Sequence, residues 1–358
     1  MCFQVTALQR FAPSLTFVRT SEHPDIFCHD MRPDIAAYRT VHQPDRTTDF
    51  SMMDMWIEIK PKNYDPFKDP SSKGATRSHK GASKQKEPAD SQRPSFHRSS
   101  MKARNVQGQL VAYANAVLCR QFRTRLFSIL ICDTYARIIL WDNSCAVVTR
   151  KFDFIRQPKR LAKFFWRYHQ LSLDLRGYDP SVTIPDLREQ LLAKNALRIT
   201  DDKATFVKLC IPDDRGVPAD RCYLAETPPY TLRSPMGRGT RGIVAYDLVK
   251  QKIVWIKDYW RIIGPGMEKE GDIYVELHRH RVPHIPSFER ASDITSNDLC
   301  TTSNHRWVHE TWACHTRETR TYSLYRLVLG EVGRKLTSFE SSWECANALA
   351  DALEGAHF

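Results

Sequence analysis

The chain has no C-x-x-C pair: its ten cysteines are scattered singly, Cys2, Cys28, Cys119, Cys132 and Cys145 among them. That spacing excludes the common zinc frameworks. Several cysteines sit in apolar runs such as Ile129–Cys132, so they read as reduced, buried thiols of an intracellular protein. No apolar run approaches the length of a membrane span, and the N-terminus lacks the apolar stretch of a signal peptide. The expectation is a cytoplasmic or nuclear location without a membrane partner. Internal repeats are absent, and no Ser-His-Asp or nucleophilic Cys arrangement stands out. His278, His280 and His284 read as a polar helix end, and His305 and His309 as structural.

What is present is a chain of 358 residues, 42% hydrophobic, with a formal net charge of +12. That length supports two domains with cores of their own. Much of the positive charge is local. Lys60, Lys62, Lys68, Lys73, Arg77, Lys80, Lys84, Lys86, Arg93, Arg98, Lys102 and Arg104 fall in one stretch rich in Ser, Pro and Gly. Too little apolar surface is available there to offset the entropy of ordering, so 70–101 reads as a disordered basic insertion. It offers a nucleic-acid contact; a solvated loop without a partner is the plainer reading.

The remaining pattern divides the chain into 1–69 with 102–195, and 196–358. In the first part, Met55–Ile59, Leu126–Cys132, Ala136–Trp141 and Ala146–Thr149 read as strands. A helix opens near Gln107, with Leu110, Ala114, Val117 and Leu118 on one face, and another surrounds Leu161–Tyr168. In the second part, strands are expected at Thr205–Cys210, Arg221–Leu224, His305–Cys314 and Tyr322–Leu329. Helices are expected at Glu268–Leu277 and from Ser341 to His357. Helix and sheet mix in both parts, which makes an α+β fold.

The second part contains Gly237-Arg-Gly239-Thr-Arg-Gly242-Ile-Val244, followed by Val254-Trp-Ile-Lys257. Glycines let a backbone approach phosphates closely, and a strand-borne lysine holds them as a point charge. Lysine needs a carboxylate to fix its position. Glu270 is the candidate, with Ile273 and Leu277 forming an apolar stripe beside it; Glu268 and Glu276 compete. Downstream, Tyr325–Leu336 looks like a strand and hinge, placing Glu331 and Val332 where backbone could meet an adenine. Together these resemble the small lobe of a protein kinase.

More specifically, the chain resembles the fungal-specific protein-kinase-like family of mushroom-forming fungi over nearly its whole length. Matching strings are Gly108–Ala114, Ala136–Asp142, Phe164–Tyr168, Arg176–Pro180, Gly237–Gly242 and Lys257–Arg261. The resemblance implies an N-terminal fungal-specific domain followed by a kinase-like domain that uses ATP and Mg for Ser/Thr phosphorylation. It implies ATP contacts at Gly237, Gly239, Gly242, Val244, Lys257, Glu331 and Val332, and catalytic roles for Lys257 and Glu270. In the family, the helix ending here at Ala352–His357 leads into a His-Arg-Asp-type loop and a metal-binding aspartate. Neither occurs in this sequence, and the large lobe is missing. The expectation is therefore a truncated, catalytically inactive kinase-like protein, or a non-catalytic interaction module that competes with full-length relatives. Its protein partner or substrate is unspecified.

The first part has a pattern of its own. Pro33-Asp34, then Glu58-Ile-Lys60 on a strand, then Gln109-x-x-x-Tyr113 on a helix resembles a restriction-endonuclease-like nuclease. Asp34 and Glu58 would share a magnesium ion, Lys60 would assist the attacking water, and Gln109 and Tyr113 would support the site. The alternative is a strand with solvent-facing Glu58 and Lys60, and Asp34 in a turn.

Overall fold

The computed structural model describes residues 5–42, 47–69, 96–213, 220–231, 234–294, 300–310, 313 and 320–356. They form an α+β protein with two mixed helix–sheet units. One unit comprises Met1–Tyr178, Pro229–Gly237 and Thr302–Arg320; the other comprises Asp179–Pro228, Arg238–Thr301 and Thr321–Phe358. The stretch 179–195, grouped with the first part on sequence, belongs to the second unit, because a strand there pairs with the second sheet.

In the first unit the chain runs α1 (Val5–Phe11), β1 (Leu15–Arg19), β2 (Ile35–Arg39), β3 (Met53–Lys60), α2 (Met101–Arg120), β4 (Leu126–Cys132) and β5 (Tyr135–Trp141). Short β6 (Ala146–Val148) and β7 (Phe152–Asp153) precede α3 (Pro158–Gln170). The sheet order is β1-β2-β3-β4-β5-β6, with β7 also on β5; only β3 and β4 pair in parallel. Such a pair needs a crossover, and α2 supplies it. Both faces of the sheet are covered. Trp56, Ala36 and Tyr38 pack with Leu110, Tyr113 and Val117 of α2 on one side. Ile57, Met55 and Ile129 pack with Phe165 and Tyr168 of α3 on the other. Two-sided burial is why β3 reads as a nearly continuous apolar run. Asp54 interrupts that run and is fully enclosed: it accepts from Tyr168 at 2.7 Å and from Arg176 at 3.0 Å.

Helix α2 starts six residues before the expected Gln107. Ser100 caps it by accepting from Ala103 N at 3.3 Å, and Ala103 and Val106 extend the buried stripe. Of the expected insertion 70–101, residues 70–95 lie outside the described residues. Residues 96–101 are ordered, with Lys68 N donating to Phe96 O at 2.8 Å and Arg98 N to Pro66 O at 2.9 Å.

The second unit begins with β8 (Val182–Thr183), α4 (Leu187–Ala196), β9 (Phe206–Ile211) and β10 (Arg221–Glu226). It continues with β11 (Arg241–Asp247), β12 (Lys252–Ile263), α5 (Glu270–Arg279), β13 (Phe288–Asp293), β14 (Thr321–Leu329) and α6 (Ser342–Ala356). Its sheet is antiparallel throughout, ordered β13-β14-β12-β11-β10-β9-β8. Arg326, fully buried on β14, donates to Asp258 of β12 at 2.8 Å and to Asp179 at 2.5 Å.

Two expectations are corrected here. Among the described residues of His305–Cys314 there is no strand: Asn304–Trp307 is a 3-10 turn, held by Asn304 Nδ2 on Leu140 O and Cys145 O, and 311–312 and 314 lie outside the described residues. Cys210 and Cys222 are not free thiols. They face each other in the β9–β10 ladder and are joined by a disulfide, a pairing that only strand register creates. Cys28, Cys119, Cys132 and Cys300 are buried thiols outside any disulfide, as expected. Among the described residues, no helix is long and apolar enough to cross a membrane.

Candidate functional site

In the second unit, β12 places Lys257 opposite Gly242 of β11 and Leu327 of β14. Alternation along the strands puts Trp255, Lys257 and Tyr259 on one sheet face with Gly242 and Val244. Helix α5 lies close over part of that face. Gly271 N donates to the Tyr325 hydroxyl at 2.9 Å, and a Cβ at Gly271 would fall 2.6 Å from Ala291 Cβ. Only glycine permits that approach, and it carries the neighbouring Glu270 to the lysine. Lys257 Nζ donates to both Glu270 oxygens, at 2.7 and 2.8 Å. The Tyr259 hydroxyl donates to Glu270 Oε2 at 2.9 Å. Burial first, and the Glu270 charge second, push the Tyr259 phenol upward, so it remains a neutral donor.

The competitor Glu276 instead engages Arg279 and His280 at the exposed helix end. The expected stripe is half right. Leu277 is partly covered, whereas Ile273 is exposed, and Tyr274 packs on the sheet in its place because it follows Glu270 at the four-residue spacing.

The glycine loop is split between environments. Gly237 has φ 96° and belongs to the first unit, where its N–H donates to Asn143 O at 2.7 Å. Gly239 has φ 50°, again the left-handed region, and belongs to the second unit. Between them in sequence, Arg238 accepts from Trp260 N at 2.8 Å, and its guanidinium sits 4.8 Å from the Tyr259 ring centroid. Lys257 Nζ is 5.0 Å from the same centroid. Arg238 and Tyr259 are thus additions that loop spacing alone did not reveal. Glu331 and Val332 follow β14 and are exposed; the Glu331 carboxylate accepts from Ser287 N at 2.6 Å and from Ser287 Oγ at 2.7 Å.

Cationic Lys257 and Arg238 suit phosphates. Where a kinase lobe would seat a base, Trp255 pairs with Val244, and its indole lies against Gly242 so closely that a Cβ there would meet Cζ2 at 2.0 Å. The kinase pattern V-A-I-K has alanine two residues before the lysine, so the signal was present in Val254-Trp-Ile-Lys257.

The first unit gathers Asp34, Glu58, Lys60, Gln109 and Tyr113 around one pocket of about 470 Å³, with His29, Asp30 and Arg32 also lining it. Glu58 and Lys60 share the β3 face that carries Trp56, whose ring packs against Tyr113 of α2. Asp34 Oδ2 accepts from Ile59 N at 2.7 Å, and Asp34 N donates to Glu58 Oε2 at 3.4 Å. Lys60 pairs with Glu58 Oε1. Gln109 donates to the Tyr113 hydroxyl at 2.6 Å, which donates to Arg32 O at 2.6 Å and so fixes the backbone just before Asp34. Glu58 is buried, not solvent-facing; burial, then the Asp34 charge, push its carboxyl up to about 7 against the pull of Lys60. Among the described residues no group of three His, Cys, Asp or Glu side chains is placed to hold a metal ion.

A family model described as fungal protein kinase matches residues 77–357. No curated protein and no solved structure matches the chain. The matched range contains the glycine loop, Lys257 and Glu270, while Asp34, Glu58 and Lys60 precede it. With the match spanning well over half of the sequence, the chain belongs to the fungal protein kinase family.

Proposed function

We propose that the second unit is a kinase-type small lobe that binds the phosphates of a nucleotide through Lys257 and acts as a binding module. The observation that carries this reading is the two-oxygen grip of Glu270 on Lys257 Nζ, at 2.7 and 2.8 Å. A lysine fixed this way presents its charge in one place and loses little entropy on meeting an anion. Phosphoryl transfer also needs an aspartate base and magnesium-holding groups, which the His-Arg-Asp-type loop supplies in kinases. In a thermal-shift titration, ATP with magnesium should stabilise the protein, by about 2.7 kcal/mol when ligand is at a hundred times Kd. Lys257→Met should abolish the shift; a shift that survives the substitution, or none in the parent protein, sinks the reading.

A second reading concerns the first unit, where five residues picked out for nuclease chemistry line one pocket. The helix, three strands, helix and strand from α1 to β4 support a restriction-endonuclease-like fold. Asp34 and Glu58 would hold a divalent cation, Lys60 would orient the attacking water, and Tyr113 with Gln109 would keep Asp34 in place. When bound, such an ion would polarise a phosphodiester and make water a better nucleophile. Metal-dependent cleavage of DNA or RNA, lost in Glu58→Ala, is the expected result. No cleavage together with no cation binding by calorimetry ends this reading.

A further inference from the structure

We propose that Lys257 and Arg238 form a polyphosphate site whose base position is closed by Trp255, so that the lobe selects a ligand by its phosphate chain and not by its nucleobase. This rests on the phosphate-binding reading of Lys257 and adds the selectivity.

Three observations carry it. First, the surface that a base would need beneath Gly242 and Val244 is held by the Trp255 indole. A Cβ added at Gly242 would fall 2.0 Å from its Cζ2, and the indole packs on the cluster of Tyr259, Leu327 and Leu329. Displacing it would uncover packed aromatic surface, and a base would have to repay that loss before adding any contact. Second, another cation approaches the same ring as the lysine. The Arg238 guanidinium and Lys257 Nζ lie 4.8 and 5.0 Å from the centroid of one ring, that of Tyr259. Lys257 is charge-matched by Glu270, whereas among the described residues no acidic side chain pairs with Arg238. Arg238 is exposed, so its planar fork is available for bidentate contact with phosphate oxygens. Third, the ring that both cations approach is uncharged, because burial and Glu270 hold the Tyr259 phenol protonated. It adds no negative charge to repel an anion.

The test compares binding of ATP, GTP and inorganic tripolyphosphate, each with magnesium, by calorimetry on the full chain. The parent protein should bind all three within about threefold of one another, and Arg238→Ala should weaken all three by about tenfold. Trp255→Ala should create a preference of about tenfold or more for ATP over tripolyphosphate. Circular dichroism checks that this variant is folded; if it is not, Trp255→Leu takes its place, and the parent ratios stand regardless. A parent protein that already prefers ATP tenfold, or an Arg238→Ala variant that binds tripolyphosphate normally, overturns the proposal while leaving Lys257 as a phosphate ligand. If no ligand binds in a Lys257-dependent way, the phosphate-binding reading itself falls, and this inference with it.

Discussion

Gly271 N–H donates to the Tyr325 hydroxyl at 2.9 Å, and that contact sets the distance between helix α5 and the second sheet. A Cβ at position 271 would lie 2.6 Å from Ala291 Cβ and 2.7 Å from the Tyr325 oxygen. Neither neighbour can swing away, because both belong to the sheet's packed interior. Gly271→Ala should therefore lift the first turn of α5, cost about 1–3 kcal/mol of stability from overpacking, and separate Glu270 from Lys257. Denaturant unfolding measures the first effect. Loss of Lys257-dependent phosphate binding measures the second. An Ala variant of unchanged stability would show that the helix does not sit this close.

Arg326 is fully buried between Asp258 and Asp179. Burial raises the Asp258 carboxyl, but Arg241 and Arg326 more than offset this and hold it below the usual range. Arg326→Met would leave two enclosed carboxylates short of a cation and should cost about 3–5 kcal/mol. Arg279→Met, which breaks an exposed pair with Glu276, should leave the unfolding midpoint unchanged. Equal effects of the two substitutions would refute the ranking by burial.

The parts of this architecture legible in the sequence are those with local causes. The strands from Met53 to Lys60 and from Leu126 to Trp141 announce themselves by apolar runs and a turn between them. Lys257 and Glu270 follow from motif order, and Asp34, Glu58 and Tyr113 from a spaced pattern, although only folding brings those three to one pocket. What escaped depends on partners distant in sequence. Cys210 and Cys222 meet through strand register, across a separation of 12 that has no signature of its own. The stretch after Asn304 resembled a strand because its anchors, Leu140 O and Cys145 O, lie far upstream. Ser100 was hidden as a cap inside a polar stretch, so α2 seemed to begin later.

Asp142 is one such anchor within the first unit. Its Oδ2 accepts from Ser303 N and Asn304 N, both at 2.8 Å, while Oδ1 accepts from Ser144 N at 2.8 Å. Asp142→Ala leaves these donors without their acceptor in an enclosed setting. The expected loss is about 2–3 kcal/mol, with faster amide exchange at Ser303 and Asn304. Amide exchange unchanged at those two positions would contradict the anchoring role.

Glu58 gives the molecule a pH dependence whose sign can be worked out. Its folded-state carboxyl is raised from 4.5 to about 7 by burial and by Asp34, with Lys60 opposing. In the unfolded chain the proton leaves near the ordinary glutamate value, so between those two points the folded state binds more protons. Stability must then fall as pH rises through this window, and the loss is complete above it. The shift corresponds to roughly 3–4 kcal/mol. Glu58→Gln removes the titration, so the variant should match the parent near pH 4.5 and exceed it at pH 8. Lys60→Met removes the opposing cation and should steepen the parent's decline. Urea unfolding of all three proteins at both pH values decides the matter. A parent that is as stable relative to Glu58→Gln at pH 8 as at pH 4.5 would mean that Glu58 ionises as freely in the folded protein as in the unfolded chain.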